Sequence, residues 1–437
     1  MIEAKNILER VMKQGVDDAI CEVNRFKKSQ VRFANSDIVL TNTVSKTVAS
    51  IFIARKGRLI GADIDDLSSV DASIKQLVKM SNAMAPNKDY KGIAKGKFVY
   101  AKGEPTASGL HEKIVDYAHE CITAAESAGA KRSAGVVYHM ESERSLSTSN
   151  GIDANEKGGY VECSIRAFVE KDASGHGVSC AALTSNFSPK KAGEEAAEIA
   201  VRAASFPRES IQEGKYDIVF GRLAIADLLA YVGRALSSFT VDAGMSMFKD
   251  RVGKHVASNS VNLDDNGIHP NGLASRRFDD EGHPTGVTRL IEKGVLKGYL
   301  HNTSSAIRYK VKDTGNAGIV SPRPWNLLLH PGSLKDEELI EGVRNGIMVT
   351  NEWYTRYQNR TTGDFSTIPR DGIFKITNGK VVGSLKDARI SDNLINILMS
   401  IDSISSEVRQ VHWWEVDVPV FTPMVKVKNV SITKSTK

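Results

Sequence analysis

Gly363-Asp-Phe-Ser-Thr-Ile-Pro-Arg-Asp-Gly372 opens the stretch that governs the reading of this chain, and Lys386-Asp-Ala-Arg-Ile-Ser-Asp-Asn393 closes it. Gly363 and Gly372 bracket a polar loop carrying Asp364, Arg370 and Asp371. Asn378-Gly379 follows, a dipeptide that favours a type I′ hairpin turn because both central residues take positive φ there. Charged groups held between tight turns and hydrophobic strands suit a loop rigid enough for recognition. The same residues also suit a solvated turn with a surface ion pair, since turns are commonly polar.

Working outward, residues 206–214 contain Pro207, several charges and Gly214, the composition of a boundary. Beyond it, 216–220 reads as a short apolar strand and 223–238 as a strongly apolar helix. The remainder consists of short strands between Gly, Asn and Asp turns, interrupted by one helix at 336–342. Residues 215–437 are therefore expected to form a β-rich domain, a curved sheet or barrel-like sandwich.

The N-terminal half alternates differently. Ile2, Ile7, Leu8, Val11 and Met12 share one helical face. Strands are expected at 20–26, 30–34, 38–44, 47–55 and 59–63, with turns at Asn35-Ser36-Asp37 and Lys56-Gly57. A helix follows at 70–84, then a Gly- and Lys-rich connector over 86–108. The order then recurs: a helix at 109–128, strands at 134–142, 144–149, 160–170 and 177–184, and a closing helix at 189–204. Asn150-Gly151 occupies the place of the earlier Asn35-Ser36 turn. This reads as a pseudo-repeat, two helix–meander–helix units at 1–85 and 109–205 sharing one sheet, within an N-terminal domain over 1–205. The expected class is α+β.

A chain of 437 residues permits large cores. Its 58 basic and 52 acidic residues leave a net charge of only +6, with no run of five like charges, which argues against a nucleic-acid partner. Cys21, Cys121, Cys163 and Cys180 form no Cys-x-x-Cys pair, so buried free thiols are expected. The N-terminal stretch lacks an apolar signal core and no run approaches 18 apolar residues, so a soluble, cytoplasmic protein with no membrane partner is expected.

Three segments carry a family resemblance: the 363–393 stretch; Phe278-Asp279-Asp280-Glu281-Gly282-His283-Pro284-Thr285; and Gly294-Val295-Leu296-Lys297-Gly298-Tyr299-Leu300 with Ser305-Ala306 and Thr314-Gly315-Asn316. In order and spacing the chain resembles the TldD/PmbA family, also called modulators of DNA gyrase, and most strongly after Lys215. The resemblance implies a zinc peptidase acting on unfolded or flexible peptides, built from a TldD-like and a TldE (PmbA)-like subunit. It also implies a central groove lined by Asp280, Glu281, Gly282, Thr285, Gly315, Asn316, Gly363, Asp364, Arg370 and Asp371. The gyrase name is not evidence of DNA binding.

A zinc-peptidase helix needs two His one turn apart and a Glu to activate water. In TldD-type subunits the motif is His-Glu-x-x-x-His on the helix matching 223–238. Val232-Gly233 and the later Val252-Gly253-x-x-Val256-Ala257-Ser258 fix the correspondence, which puts Leu229, Ala230 and Arg234 at those positions. Leu and Ala carry no ligand atom, and Arg stays cationic. The family's third ligand, a late Cys, has no counterpart after Cys180. The resemblance thus implies the TldE/PmbA-type subunit, with no catalytic residue, metal or cofactor of its own and with zinc in a TldD-like partner. The expected partners are that subunit and peptide substrates, with a homodimer when alone. The alternative is a stand-alone homodimeric module that binds peptides or a protein.

Other constellations are weaker. His111 and His119 stand two helical turns apart, too far for one ion, and read as solvent-facing. Asp264, Asp265, His269, Asp279, Asp280, Glu281 and His283 offer oxygen and nitrogen ligands, yet each run ends in Gly or Pro, as turns do. No nucleophile elbow, Walker loop or Rossmann fingerprint is present. Trp353-Tyr354 and Trp413-Trp414 suit core or interface better than base stacking.

Overall fold

The structure is a computed structural model that describes residues 3–102, 106–319 and 321–434. Ile2 and residues 103–105 of the connector lie outside them. The fold is α+β, as expected.

The first unit comprises α1 (Ala4–Met12), β1 (Asp18–Ala34), β2 (Asp37–Arg55), β3 (Arg58–Ile64) and α2 (Val70–Ser81). The second comprises α3 (Ile114–Ser127), β4 (Arg132–Thr148), β5 (Asp153–Glu170), β6 (Ala173–Ala181) and α4 (Pro189–Ala204). Their strands form one antiparallel sheet in the order β3-β2-β1-β4-β5-β6, so the units join through β1 and β4. Alternation explains the two faces. Ala19, Cys21, Val23, Val31 and Phe33 of β1 point to the side covered by helices, where α1 and α2 pack over one unit and α3 and α4 over the other. Ile20 points the other way, onto Ile93 and Ala94 of the connector and onto Phe278 from the C-terminal half.

Helix α4 lies almost in backbone contact with β6. A Cβ added at Gly177 would stand 2.0 Å from the Ala192 carbonyl oxygen, and one at Gly175 2.0 Å from that of Ala196. Small residues on both elements permit this approach.

Two sheets build the C-terminal half around a third apolar layer, α5 (Arg222–Ala235). Strands Asn345–Asn359, Gly214–Phe220, Val425–Lys434, Ala388–Asn393 and Asp364–Thr377 pair successively, and the last pairs back with the first. The circuit is a small closed barrel, which leaves none of these five strands as a bare edge within it. A second sheet runs Val295–Leu296, Val287–Glu292, Leu263–Asn266, Leu327–Leu329, Val416–Thr422, Arg409–Trp413. Helix α5 is wedged against both, and nearly every residue of it is buried.

The structure departs from expectation in three places. β1, β2 and β4 are continuous where breaks were read at Lys27-Lys28-Ser29, Ser45-Lys46 and Glu143. Ladder bonds to the neighbouring strands persist through those polar positions. The bracketed 363–372 loop is the start of strand Asp364–Thr377, paired with Asn345–Asn359 throughout. Besides Asp336–Glu341, short helices occur at Ser238–Asp242, Thr303–Tyr309 and Leu394–Met399. No helix among the described residues is long and apolar enough to cross a membrane. All four cysteines are free and buried.

Candidate functional site

A cavity of about 850 Å³ lies where the sheet's outer face meets the C-terminal half, and Arg144, Arg276, Arg323, Asp280, His412 and Asp417 border it. Its floor is built by the Phe278–His283 turn. Phe278 is fully buried against the sheet, with the Arg144 guanidinium 4.4 Å from its ring centre. Asp279 caps the turn: its Oδ1 accepts from the Glu281 and His283 N–H groups (2.9 Å each) and its Oδ2 from Ala317 N–H (3.0 Å).

Asp280 is the electrostatic hub. Its Oδ1 accepts from Arg144 and Arg276 at 2.9 Å each, and its Oδ2 from Arg323 at 3.1 Å. Arg144 also donates to Glu156 (2.8 Å) and Glu22 (2.9 Å). Burial opposes ionisation of Asp280, but Arg323, Arg276 and Arg144 together hold its carboxyl below the usual range. Burial, and then Arg144, push the Arg276 guanidinium down to about 10. The network is a buried set of alternating charges, and it ties β1, β4 and β5 to the C-terminal half.

The remaining motif residues of this region are structural neighbours of that hub. Glu281 turns inward, where its carboxylate accepts from Ala94 N–H (3.2 Å) and Thr303 N–H (3.3 Å) and burial pushes it up to about 7. Gly282 (φ 81°) abuts Ile152, which leaves no room for a side chain. Thr285 donates to the Arg276 carbonyl. Asn316 donates to Asp265 (2.6 Å) and to the Arg323 carbonyl (2.9 Å), so it fixes the loop that carries Arg323. Gly315 (φ 67°) packs directly on the Pro284 carbonyl. Asp264 and Asp265 likewise hold protein partners: His330 at 2.7 Å, and Trp325 N–H at 2.7 Å.

The residues of the 363–371 segment do not share one loop. Gly363 (φ 90°) turns the hairpin end, where Asp364 accepts from Thr362 (2.6 Å) and Asn393 (2.8 Å). Asp371 is buried and binds the N-terminal sheet through Arg166 (2.5 Å) and Ser174 (2.6 Å). Arg370 is outward, as is Asp364, and its guanidinium carbon stands 5.5 and 5.6 Å from the Trp353 and Tyr354 ring centres. Those rings belong to an aromatic patch with Trp413 and the 61 % exposed Trp414. Tyr354 sits at φ 59° on a bulge, an uncommon conformation for a bulky residue. The Glu415 carboxylate holds it by accepting from the Tyr354 and Thr355 N–H groups.

Helix α5 ends beside this patch. Leu229 and Ala230 are 1 % and 0 % exposed within the apolar core. Arg234 pairs with Asp417 at the groove rim. Two turns earlier Asp227 is buried beneath Thr355, and burial pushes it up to about 7. Tyr231 stacks on Tyr357 at 3.3 Å.

The PmbA/TldA metallopeptidase C-terminal domain matches residues 213–434, and the central domain of that family matches 105–204. The chain belongs to the PmbA/TldD family. A metalloprotease of Methanocaldococcus jannaschii is 31% identical over 205 residues, 45% of this chain and 44% of that protein. A metalloprotease PmbA homolog of Buchnera aphidicola is 26% identical over 221 residues, 50% of this chain and 47% of that one. The chain thus spans about half the length of the sequence relatives it matches. The crystal structure of TldE from Thermococcus kodakarensis superposes with a TM-score of 0.86 at 22% identity, covering 98% of this chain and 99% of that one, and so shares the fold.

The metallopeptidase name makes zinc the metal to test against α5. The residues there do not fit it. Leu229 and Ala230 give methyl groups to the core, and Arg234 offers a cation that is already paired. The aromatic pairs of the patch were legible as core or interface residues, but the groove arginines and the Glu415 anchor were not, because an isolated Arg or Glu carries no periodic signature.

Proposed function

We propose that this chain is a TldE/PmbA-type subunit, itself without peptidase chemistry, that works beside a TldD-like zinc metallopeptidase subunit on unfolded or flexible peptides. The carrying observation is that α5 keeps its place beside the groove while Leu229 and Ala230 are absorbed into the core. Zinc and the water-activating Glu then come from the partner. This chain contributes a wall of the peptide chamber: Asp280 and its arginines, Thr285, Gly315 and Asn316 on one side, and the Gly363–Asp371 strand with Arg370 on the other.

An extended peptide held by backbone pairing against strand edges near the patch suits broad sequence tolerance. Without its partner the chain pairs with itself. The test is peptide turnover and mass by light scattering, for the chain alone and mixed with a TldD-like subunit. The expected outcome is an inactive homodimer alone and turnover only in the mixture. Turnover by the chain alone, abolished by a chelator, sinks this reading.

A further inference from the structure

A second polar constellation stands on the N-terminal sheet, apart from the groove network. His139 and Glu141 lie two residues apart on β4 and so project from the same face. The turn before α3 brings His111 onto them, with the His111 and His139 ring centres 4.5 Å apart. Glu141 Oε2 is 3.1 Å from His111 Nε2, and its Oε1 is 3.3 Å from His139 Nε2. Both rings are held from behind through Nδ1: His111 by Ser29 Oγ at 2.8 Å, His139 by the Tyr160 carbonyl at 3.0 Å. Ser29 in turn meets Thr43 Oγ1 at 2.7 Å.

This arrangement leaves one contact unexplained by hydrogen bonding. A carbonyl only accepts, so His139 Nδ1 carries the proton and Nε2 presents a lone pair. That lone pair faces a carboxylate oxygen at 3.3 Å, acceptor against acceptor. Nε2 accepts only a long bond from Leu110 N–H (3.4 Å), and the facing Glu141 Oε1 accepts from Gly109 N–H, while Glu141 Oε2 has no backbone donor among the described residues. A cation between the three groups turns this contact between two acceptors into shared coordination.

We propose that His111 Nε2, His139 Nε2 and the Glu141 carboxylate bind a divalent transition-metal ion, zinc by ligand type. The ligand atoms all lie within 4.8 Å of one another. A tetrahedral ion with bonds of about 2.0–2.1 Å separates neighbouring ligand atoms by about 3.3 Å, close to the observed spacings. Histidine ligands typically donate their other ring N–H to an outer partner, the role that Ser29 and Tyr160 fill here. Glu141 borders a recess of about 680 Å³ with Ser108, Lys27, Ser45 and Lys157, which gives its carboxylate access to solvent. His111 was read from spacing as solvent-facing with His119. His119 is exposed, but His111 has only 12% of its side chain accessible and pairs with the strand instead. The second three-residue cluster, Asp279, His283 and Asp313, carries no such case, since backbone N–H groups occupy both Asp279 oxygens.

The test is metal binding by the full-length chain, stripped with a chelator and titrated with Zn²⁺ by calorimetry and with Co²⁺ by visible absorption. Variants His111→Ala and Glu141→Gln remove ligands, Ser29→Ala removes only the outer partner of His111, and the melting temperature of each controls for a fold defect. One equivalent is expected in the unsubstituted chain, with the visible bands of low-coordinate Co²⁺. Binding is expected to be lost in both ligand variants, and affinity to weaken about 10–100-fold in Ser29→Ala. Absence of saturable binding in the unsubstituted chain overturns the proposal. So does unchanged affinity in folded His111→Ala and Glu141→Gln. The outcome is independent of the peptidase reading, because no partner or peptide enters the measurement.

Discussion

Asp280 is one carboxylate shared among three guanidiniums, which makes it far more sensitive than any one of its partners. Asp280→Asn leaves Arg144, Arg276 and Arg323 facing only Glu22 and Glu156. Removing one member of a buried charge set typically costs about 3–5 kcal/mol. Arg323 keeps half its side chain in solvent, so Arg323→Ala is expected to cost less than about 1 kcal/mol. Urea denaturation of both variants checks the pair, and equal losses would refute a hub. Asp227 poses the opposite problem, a carboxyl that burial pushes up to about 7. Its stabilising contribution is complete below its unfolded value near 4 and is lost as pH rises through about 7. Asp227→Asn abolishes that loss and retains an oxygen for Thr355. It should be more stable than the parent at pH 8, by at most about 4 kcal/mol, and nearly equal to it at pH 4. Denaturation midpoints at the two pH values decide it. Identical pH profiles for variant and parent would show that Asp227 ionises freely.

At the scale of elements, what could be read depended on whether burial or bonding holds a segment. Helix α5 is apolar on all sides, the pattern of a helix enclosed by its own protein, and it was legible for that reason. The meander order was legible from alternation in β1, β4 and β5. The outer run of β2 was legible as strand over 38–44 and 47–55, but its continuity through Ser45-Lys46 was not, because those exposed polar residues read as a turn and only the ladder to β1 keeps them extended. The short helices Thr303–Tyr309 and Leu394–Met399 depend on Asn302 and Asn393 caps and lack the length for a periodic signal. The arginine partners of Asp280 escaped notice because they are isolated charges, Arg144 on β4 and Arg276 and Arg323 on loops, brought together only by the fold. Close packing of α4 on β6 gives a direct check of element geometry. Gly177→Val would drive a side chain into the Ala192 carbonyl and should cost about 1–3 kcal/mol or more. Gly158→Ala, whose added Cβ meets only Ser142 Oγ at 3.6 Å, should stay within about 0.5 kcal/mol. If both substitutions are neutral by thermal melting, the helix does not lie where the structure places it.

Across the whole molecule, the ties between the N-terminal sheet and the C-terminal half include the Asp280 network and the Asp371–Arg166 pair. Arg370 is the immediate neighbour of the second of these, yet it faces outward onto the aromatic patch. Its guanidinium has no carboxylate partner among the described residues, so its planar fork is free to meet one supplied from outside. A peptide carboxyl or an acidic side chain would fit, oriented by the fork and flanked by Tyr354 and Trp414. Exposed ion pairs contribute only about 0–1 kcal/mol, so any effect of Arg370 must arise from geometry more than from charge. Arg370→Lys separates the two, since it keeps the cation and loses the two-pronged donor. If Arg370 orients peptide in the partnered complex, turnover should fall about tenfold while the melting temperature stays within a degree or two, as expected for an exposed site. If the residue only supports the patch, stability and turnover should move together, or neither should move. Unchanged turnover at matched stability would exclude Arg370 from peptide recognition and leave the Asp280 side of the groove as the remaining candidate.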